Sequence, residues 1–232
     1  MQQNLLHQAV LFDCDGVLVD SEQITNGVLR LMLNELGWPI GATECFERFV
    51  GRSLKDEFGV IEQHTGVKVG LEWLGEFRRR RDVSLAESLE EIPGAGAAAR
   101  ALSAAFGGRV ACASGADRAK VEMQLKRVGL LDVFAGKVFS GEEMPRSKPA
   151  PDVYLAAATA LGVDPARTAV IEDTISGTTA GVAAGATVYG YCPPDSPAHS
   201  RPEHLLGAGA AHIFTSMDEL PGLLGPAGTM PG

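Results

Sequence analysis

The chain has 232 residues, 45% of them hydrophobic and 21% charged, which allows one large domain or a core with an insert, and a substantial buried interior. A formal net charge of −9 and a pI near 5.0 argue against a nucleic-acid backbone or an anionic membrane as partner, so an anionic substrate needs local positive charge. Apolar runs are too short for a membrane span and there is no internal repeat. No basic-then-apolar signal precedes the first strand, and Cys14, Cys45, Cys112 and Cys192 lack CxxC spacing, so the expected setting is reduced and cytoplasmic.

In chain order, Val10-Leu-Phe12 predicts a buried strand ending abruptly in Asp13, Asp15 and Gly16. From Val17 to about Leu89 the composition turns charged and helix-forming, which predicts a helical insert at 18–89 between core segments 1–17 and 90–232. Its first helix is marked by Ile24, Val28, Leu31 and Leu36 and stopped by Gly37-Trp38-Pro39. Further helices are broken near Gly51 and Gly66. After Glu91-Ile-Pro-Gly-Ala-Gly96, a helix over Ala97 to Ala105 leads to a strand over Arg109 to Ala113. Helix Asp117 to Gly129, strand Lys137 to Phe139 and helix Pro151 to Leu161 follow. Strand Thr168 to Ile171, helix Ile175 to Ala184 and strand Thr187 to Tyr189 continue the rhythm. His212 to Phe214 and Met217 to Leu224 repeat it weakly, and Gly225 to Gly232 reads as a frayed end. Alternating strands and helices predict an α/β, doubly wound parallel sheet.

Parallel strands bring their carboxyl ends to one edge, so Asp13, Asp15, Ser114 with Gly115, and Glu172-Asp173 are expected to converge there, with Lys148 entering from a loop. Two carboxylates followed by glycine suit Mg²⁺, which binds a few oxygens and leaves room for phosphate oxygens. Lys148 would neutralise phosphate oxygens, while Ser114 and nearby backbone N–H groups would hydrogen-bond them. Asp13 would attack phosphorus to form an aspartyl-phosphate. Asp15 would protonate the leaving oxygen and then deprotonate the hydrolytic water.

These residues resemble the haloacid dehalogenase-like superfamily. Asp13-Cys-Asp-Gly16 matches its DxDG motif, Ser114 its strand-end Ser/Thr, Lys148-Pro-Ala-Pro151 its lysine motif and Glu172-Asp173 its acidic motif, in order. The helical insert is similar to the small α-helical cap of the subgroup containing β-phosphoglucomutase, phosphoglycolate phosphatase and 6-phosphogluconate phosphatase. The resemblance implies a Rossmann-like core with an inserted cap that closes over it. It also implies a metal held by the Asp13 carboxylate, the Asp15 backbone carbonyl and Asp173, with Glu172 direct or through water. Thr25 stands where mutases of this subgroup carry a histidine, which favours a phosphatase, and Gly115 replaces a frequent asparagine. Asp15 argues against dehalogenation.

The expectation is therefore a Mg²⁺-dependent phosphatase for a small phosphorylated metabolite, a sugar phosphate or sugar-acid phosphate, acting as a monomer or weak homodimer. A β-phosphoglucomutase-like mutase and a phospho-acceptor signalling switch are the alternatives. Arg52 and Lys55 are candidates for the substrate's distal groups, equally readable as a solvated helix start. Arg78 to Arg81 reads mainly as a solvated face. Cys14 is expected to point away from the acids as a packed thiol. His7, His64, His199, His204 and His212 are assigned to surface or core, and Gly94-Ala-Gly96 lacks the preceding strand of a dinucleotide site.

Overall fold

A computed structural model describes residues 6–49, 54–194 and 200–225. Six parallel strands, β1 (Ala9–Phe12), β2 (Val110–Ser114), β3 (Val138–Ser140), β4 (Thr168–Glu172), β5 (Thr187–Tyr191) and β6 (His212–Phe214), form one sheet in the order β3-β2-β1-β4-β5-β6. Four helices precede β2's own helix: α1 (Glu22–Glu35), α2 (Ala42–Phe49), α3 (Phe58–Thr65) and α4 (Leu71–Ser88). The rest are α5 (Ala95–Ala105), α6 (Arg118–Arg127), α7 (Asp152–Ala160), α8 (Ile175–Ala183), α9 (Pro202–Gly207) and α10 (Leu220–Leu224). This is the expected α/β, Rossmann-like architecture.

β1 lies between β2 and β4, and all four of its residues are buried. Helices on both faces explain its unbroken apolar run, since neither face meets water. On one face, Leu11, Ala113 and Val170 pack with Val153, Tyr154 and Ala157 of α7 and Ala180 of α8. On the other, Phe12 meets Phe134 edge-on with ring centroids 5.8 Å apart. Full burial of Phe12 contributes roughly 2–3 kcal/mol. The strand order reverses between β1 and β4, which opens a crevice beyond their carboxyl ends.

The chain divides into two compact units, Met1–Asp20 with Glu90–Gly232, and Ser21–Leu89. Residues 18–20 stay with the sheet because Asp20 N–H donates to the Glu90 carbonyl (3.1 Å) and Ile92 N–H to that of Leu18 (3.0 Å). In the second unit, α1 packs along α4 and buries Val28, Leu29, Met32 and Leu33. Leu31, expected on that stripe, is 54% exposed because the buried pairs fall at 28/29 and 32/33. Gly66 caps α3 as expected, whereas Gly51 lies outside the described residues. The arginine run is not uniformly solvated: Arg81 is buried, stacks on Phe77 and pairs with Asp82, while Arg79 and Arg80 hold Glu76.

α9 is absent from the sequence expectations. Of its six residues only Leu205 is buried, too little to make a periodic signal. Gly225 apart, the frayed-end expectation falls outside the described residues. Among the described residues, no helix is long and apolar enough to cross a membrane.

Candidate active site

Phe12 pairs with Ile171 across β1 and β4, and the Asp13 N–H continues the ladder to the Ile171 carbonyl at 3.0 Å. Asp13 therefore emerges beside Glu172, with Asp173 next. All three are buried, and an oxygen from each lies within 4.8 Å of the others. Lys148 Nζ sits 2.9 Å from Asp13 Oδ1 and 2.7 Å from Glu172 Oε1, over the Tyr154 ring. Glu172 is held from every side. Its Oε1 also accepts from the Tyr154 hydroxyl (2.9 Å), and its Oε2 accepts from the N–H groups of Asp173 and Thr174 and from Thr174 Oγ1. Thr174 caps α8 by accepting from the Gly177 N–H, and a Cβ on Gly177 would overlap the Glu172 carboxylate.

Burial pushes the Asp13 carboxyl up to about 7; Lys148 pulls it down, while Glu172 and Asp15 push it further up. Burial also opposes the charges of Glu172 and Lys148. Even so, Lys148 and the Thr174 bonds hold Glu172 below its ordinary value, and Asp13 and Glu172 hold Lys148 well above its own. The two acids share one ammonium, and Glu172 has the better solvation. Among Asp13, Glu172, Asp173 and Lys148, three buried carboxylates face one cation, and a divalent metal ion fits that imbalance. Gly16 adopts φ +77°, and a Cβ there would overlap the Asp173 carboxylate, so the turn after Asp15 lies against Asp173.

Asp15 is held differently. Lys120 Nζ donates to both its oxygens at 2.9 Å, and Gln124 Nε2 donates to Oδ1 at 2.8 Å. Both partners lie on the buried face of α6, whose N-terminus Asp117 caps by accepting from the Lys120 N–H. Ser114 ends β2, 1% exposed, with Oγ accepting from the Ala116 N–H at 3.1 Å. Gly115 is exposed beside it. Ser140, at the end of β3, braces this turn by donating to the Ala116 carbonyl at 2.7 Å.

The structure thus brings Asp13, Lys148, Glu172 and Asp173 into one cluster, ties Asp15 to α6 and places Ser114 and Gly115 on the same edge of the sheet. Lys55 is exposed in the second unit, and Arg52 lies outside the described residues. Cys14 is fully buried, with Sγ donating to Gln124 Oε1. His7 is buried against the Tyr189 hydroxyl; His64, His204 and His212 are exposed, and His199 lies outside the described residues. Sequence reasoning missed Lys120, Gln124, Tyr154, Thr174 and Ser140. One signal was available for α6: Lys120 and Gln124 are one turn apart, on the same side as Val121 and Leu125.

Strand order, crevice and acidic cluster together define a doubly wound α/β protein with a buried acidic site beyond the carboxyl ends of β1 and β4. A family model of haloacid dehalogenase-like hydrolases matches residues 7–185. The 6-phosphogluconate phosphatase of Escherichia coli K12 is 30% identical over 217 residues, spanning 93% of this chain and 94% of the relative. Hexitol phosphatase B of the same organism is 31% identical over 185 residues, spanning 76% and 79%. Among solved structures, a HAD family hydrolase from Deinococcus radiodurans R1 with bound phosphate and sodium matches at a TM-score of 0.80 and 34% identity, over 97% of this chain and 100% of that one. The chain belongs to the haloacid dehalogenase-like hydrolases. It is an enzyme of that family, and the two curated relatives are phosphoric monoester hydrolases by name.

Proposed function

We propose that this chain is a Mg²⁺-dependent phosphatase that hydrolyses a small phosphorylated metabolite, a sugar phosphate or a sugar-acid phosphate akin to 6-phosphogluconate, through an aspartyl-phosphate. The observation that carries the reading is the buried cluster at the switch point, where Asp13 shares Lys148 with Glu172 and an oxygen of Asp173 lies within 4.8 Å of theirs. The similarity to 6-phosphogluconate phosphatase supports the substrate class.

Asp13, Asp173 and the Asp15 backbone carbonyl would hold Mg²⁺, which neutralises phosphate oxygens when bound. Five donors already engage the Glu172 oxygens, which favours indirect participation for Glu172 and makes its main task the placement of Lys148. Lys148 and Ser114, with the N–H groups of the Gly115 turn, bind the phosphoryl oxygens. An Asp13 carboxylate oxygen then bonds to phosphorus while the ester P–O bond breaks, and Asp15 gives its proton to the leaving oxygen. In the second half, Asp15 takes a proton from the water that bonds to phosphorus, the P–O bond to Asp13 breaks, and phosphate leaves. The phosphate motifs do not choose the substrate, and Arg52 and Lys55 are the candidates carried over from the sequence for its distal groups.

The test is phosphate release from a panel of phosphorylated sugars, sugar acids and phosphoglycolate, with Mg²⁺ and with EDTA. Wild type is expected to release phosphate only with Mg²⁺, and Asp13→Asn to fold normally yet lose about 10⁴-fold or more of the activity. A folded, active Asp13→Asn would remove Asp13 as nucleophile, and isomerised sugar phosphate without free phosphate would mark a mutase.

A further inference from the structure

Burying a lysine and a glutamine on one helix face opposes folding unless each finds a partner. On α6 both find the same one. Lys120 is 8% exposed and Gln124 fully buried, and their three hydrogen bonds converge on the Asp15 carboxylate, whose side chain is 18% exposed. Stability is weak ground for this arrangement, since replacing a buried ion pair by well-packed apolar residues is often neutral or stabilising.

The local structure fixes the geometry at each step. Asp117 caps α6 at the Lys120 N–H (2.9 Å), which sets the first turn. Arg118 ties the same turn to β3 through the Val138 carbonyl at 2.7 Å. One turn on, Gln124 Oε1 accepts from Cys14 Sγ, so the amide must turn its Nε2 toward Asp15. Cys14, between the two acids, thus touches the glutamine that holds the second acid. Lys120 Nζ spans both Asp15 oxygens, which suppresses rotation of the carboxylate about its last bond.

We infer that Lys120 and Gln124 are positioning residues for Asp15, holding its carboxylate in the orientation in which it takes the proton from the water that hydrolyses the Asp13 aspartyl-phosphate. The inference rests on the proposed function of Asp15. Both lysine bonds go to a carboxylate acting only as acceptor, which is the form that accepts a proton in this second half-reaction. A 1 Å misplacement of a catalytic group is enough to slow its step severely.

The experiment uses Lys120→Met and Gln124→Met, close in size and unable to donate, with radiolabelled p-nitrophenyl phosphate as probe. Its good leaving group reduces dependence on acid catalysis when the phosphoenzyme forms, whereas every turnover still requires the hydrolytic water. In both variants kcat is expected to fall about tenfold or more, kcat/KM less, so that KM drops and the acid-stable phosphoenzyme fraction rises during turnover. Equal losses in kcat and kcat/KM with no rise in phosphoenzyme would reduce Lys120 and Gln124 to structural supports, leaving the phosphatase reading intact. A wild type that forms no phosphoenzyme and releases no phosphate would overturn that reading and this inference with it. Thermal melting checks folding, and if Lys120→Met does not fold, Gln124→Met decides.

Discussion

Asp13 and Asp15 stand two residues apart, each beside a buried lysine, and the two pairs are built differently. Lys148 is divided between Asp13 and Glu172, with Asp173 close by, whereas Lys120 reaches both oxygens of Asp15 and Gln124 adds a third bond. Burial with an unequal share of one cation holds Asp13 up to about 7. Two residues of the same type thus sit in different charge environments. The first sets one ammonium among three buried carboxylates and suits a metal ion and a phosphate; the second sets one ammonium and one amide against a single carboxylate and suits a group that must keep one orientation.

The comparison breaks most sharply at the lysines. Lys148→Met leaves Asp13 and Glu172 buried without their cation, and about 3–5 kcal/mol of stability is expected to go with it. Lys120→Met leaves Asp15 with Gln124 and partial exposure, and about 1–3 kcal/mol is expected. Urea unfolding at pH 7.5, a condition of about that value being chosen so that surface carboxylates are ionised, ranks the two. Equal losses would erase the distinction between the pairs.

A smaller effect sharpens it through pH. Because the folded-state value of Asp13 is raised, the metal-free native protein holds an extra proton between the ordinary carboxylate value of 3.8 and about 7. Stability attributable to Asp13 therefore falls as pH rises through that window and levels off above it. Glu172, held low, acts in the opposite sense and only as pH falls through its own lower range. In EDTA, Asp13→Asn is expected to gain stability over wild type by up to about 1.4 kcal/mol per pH unit across the window, and Mg²⁺ to abolish the gain. Melting curves at several pH values check this, and a difference independent of pH would place Asp13 in an ordinary carboxylate environment.

Much of this was legible in the sequence for definite physical reasons. A strand covered on both faces must read as a continuous apolar run, so Val10-Leu-Phe12 announced a buried strand, and parallel topology sent Asp13, Ser114 and Asp173 to one edge. Long-range polar partners were not legible. Lys120 and Gln124 meet Asp15 across 105 and 109 residues, and a periodicity that scores apolar residues passes over a helix whose buried face is half polar. Tyr154 packs in the core on α7, and its hydroxyl bond to Glu172 depends on how α7 lies against the sheet. Arg81 was hidden by its three neighbouring arginines, because only the helix phase set by Leu74, Phe77 and Leu85 buries it.

The most direct measurement is chemical trapping of the phosphoenzyme. Wild type turning over a phosphorylated sugar acid with Mg²⁺ is quenched with borohydride, which reduces an acyl phosphate to an alcohol, and the peptide spanning Ala9 to Gly16 is sequenced by mass spectrometry. Homoserine at position 13, absent without substrate, is the predicted result. Active turnover that leaves residue 13 as aspartate and marks another side chain would contradict the account.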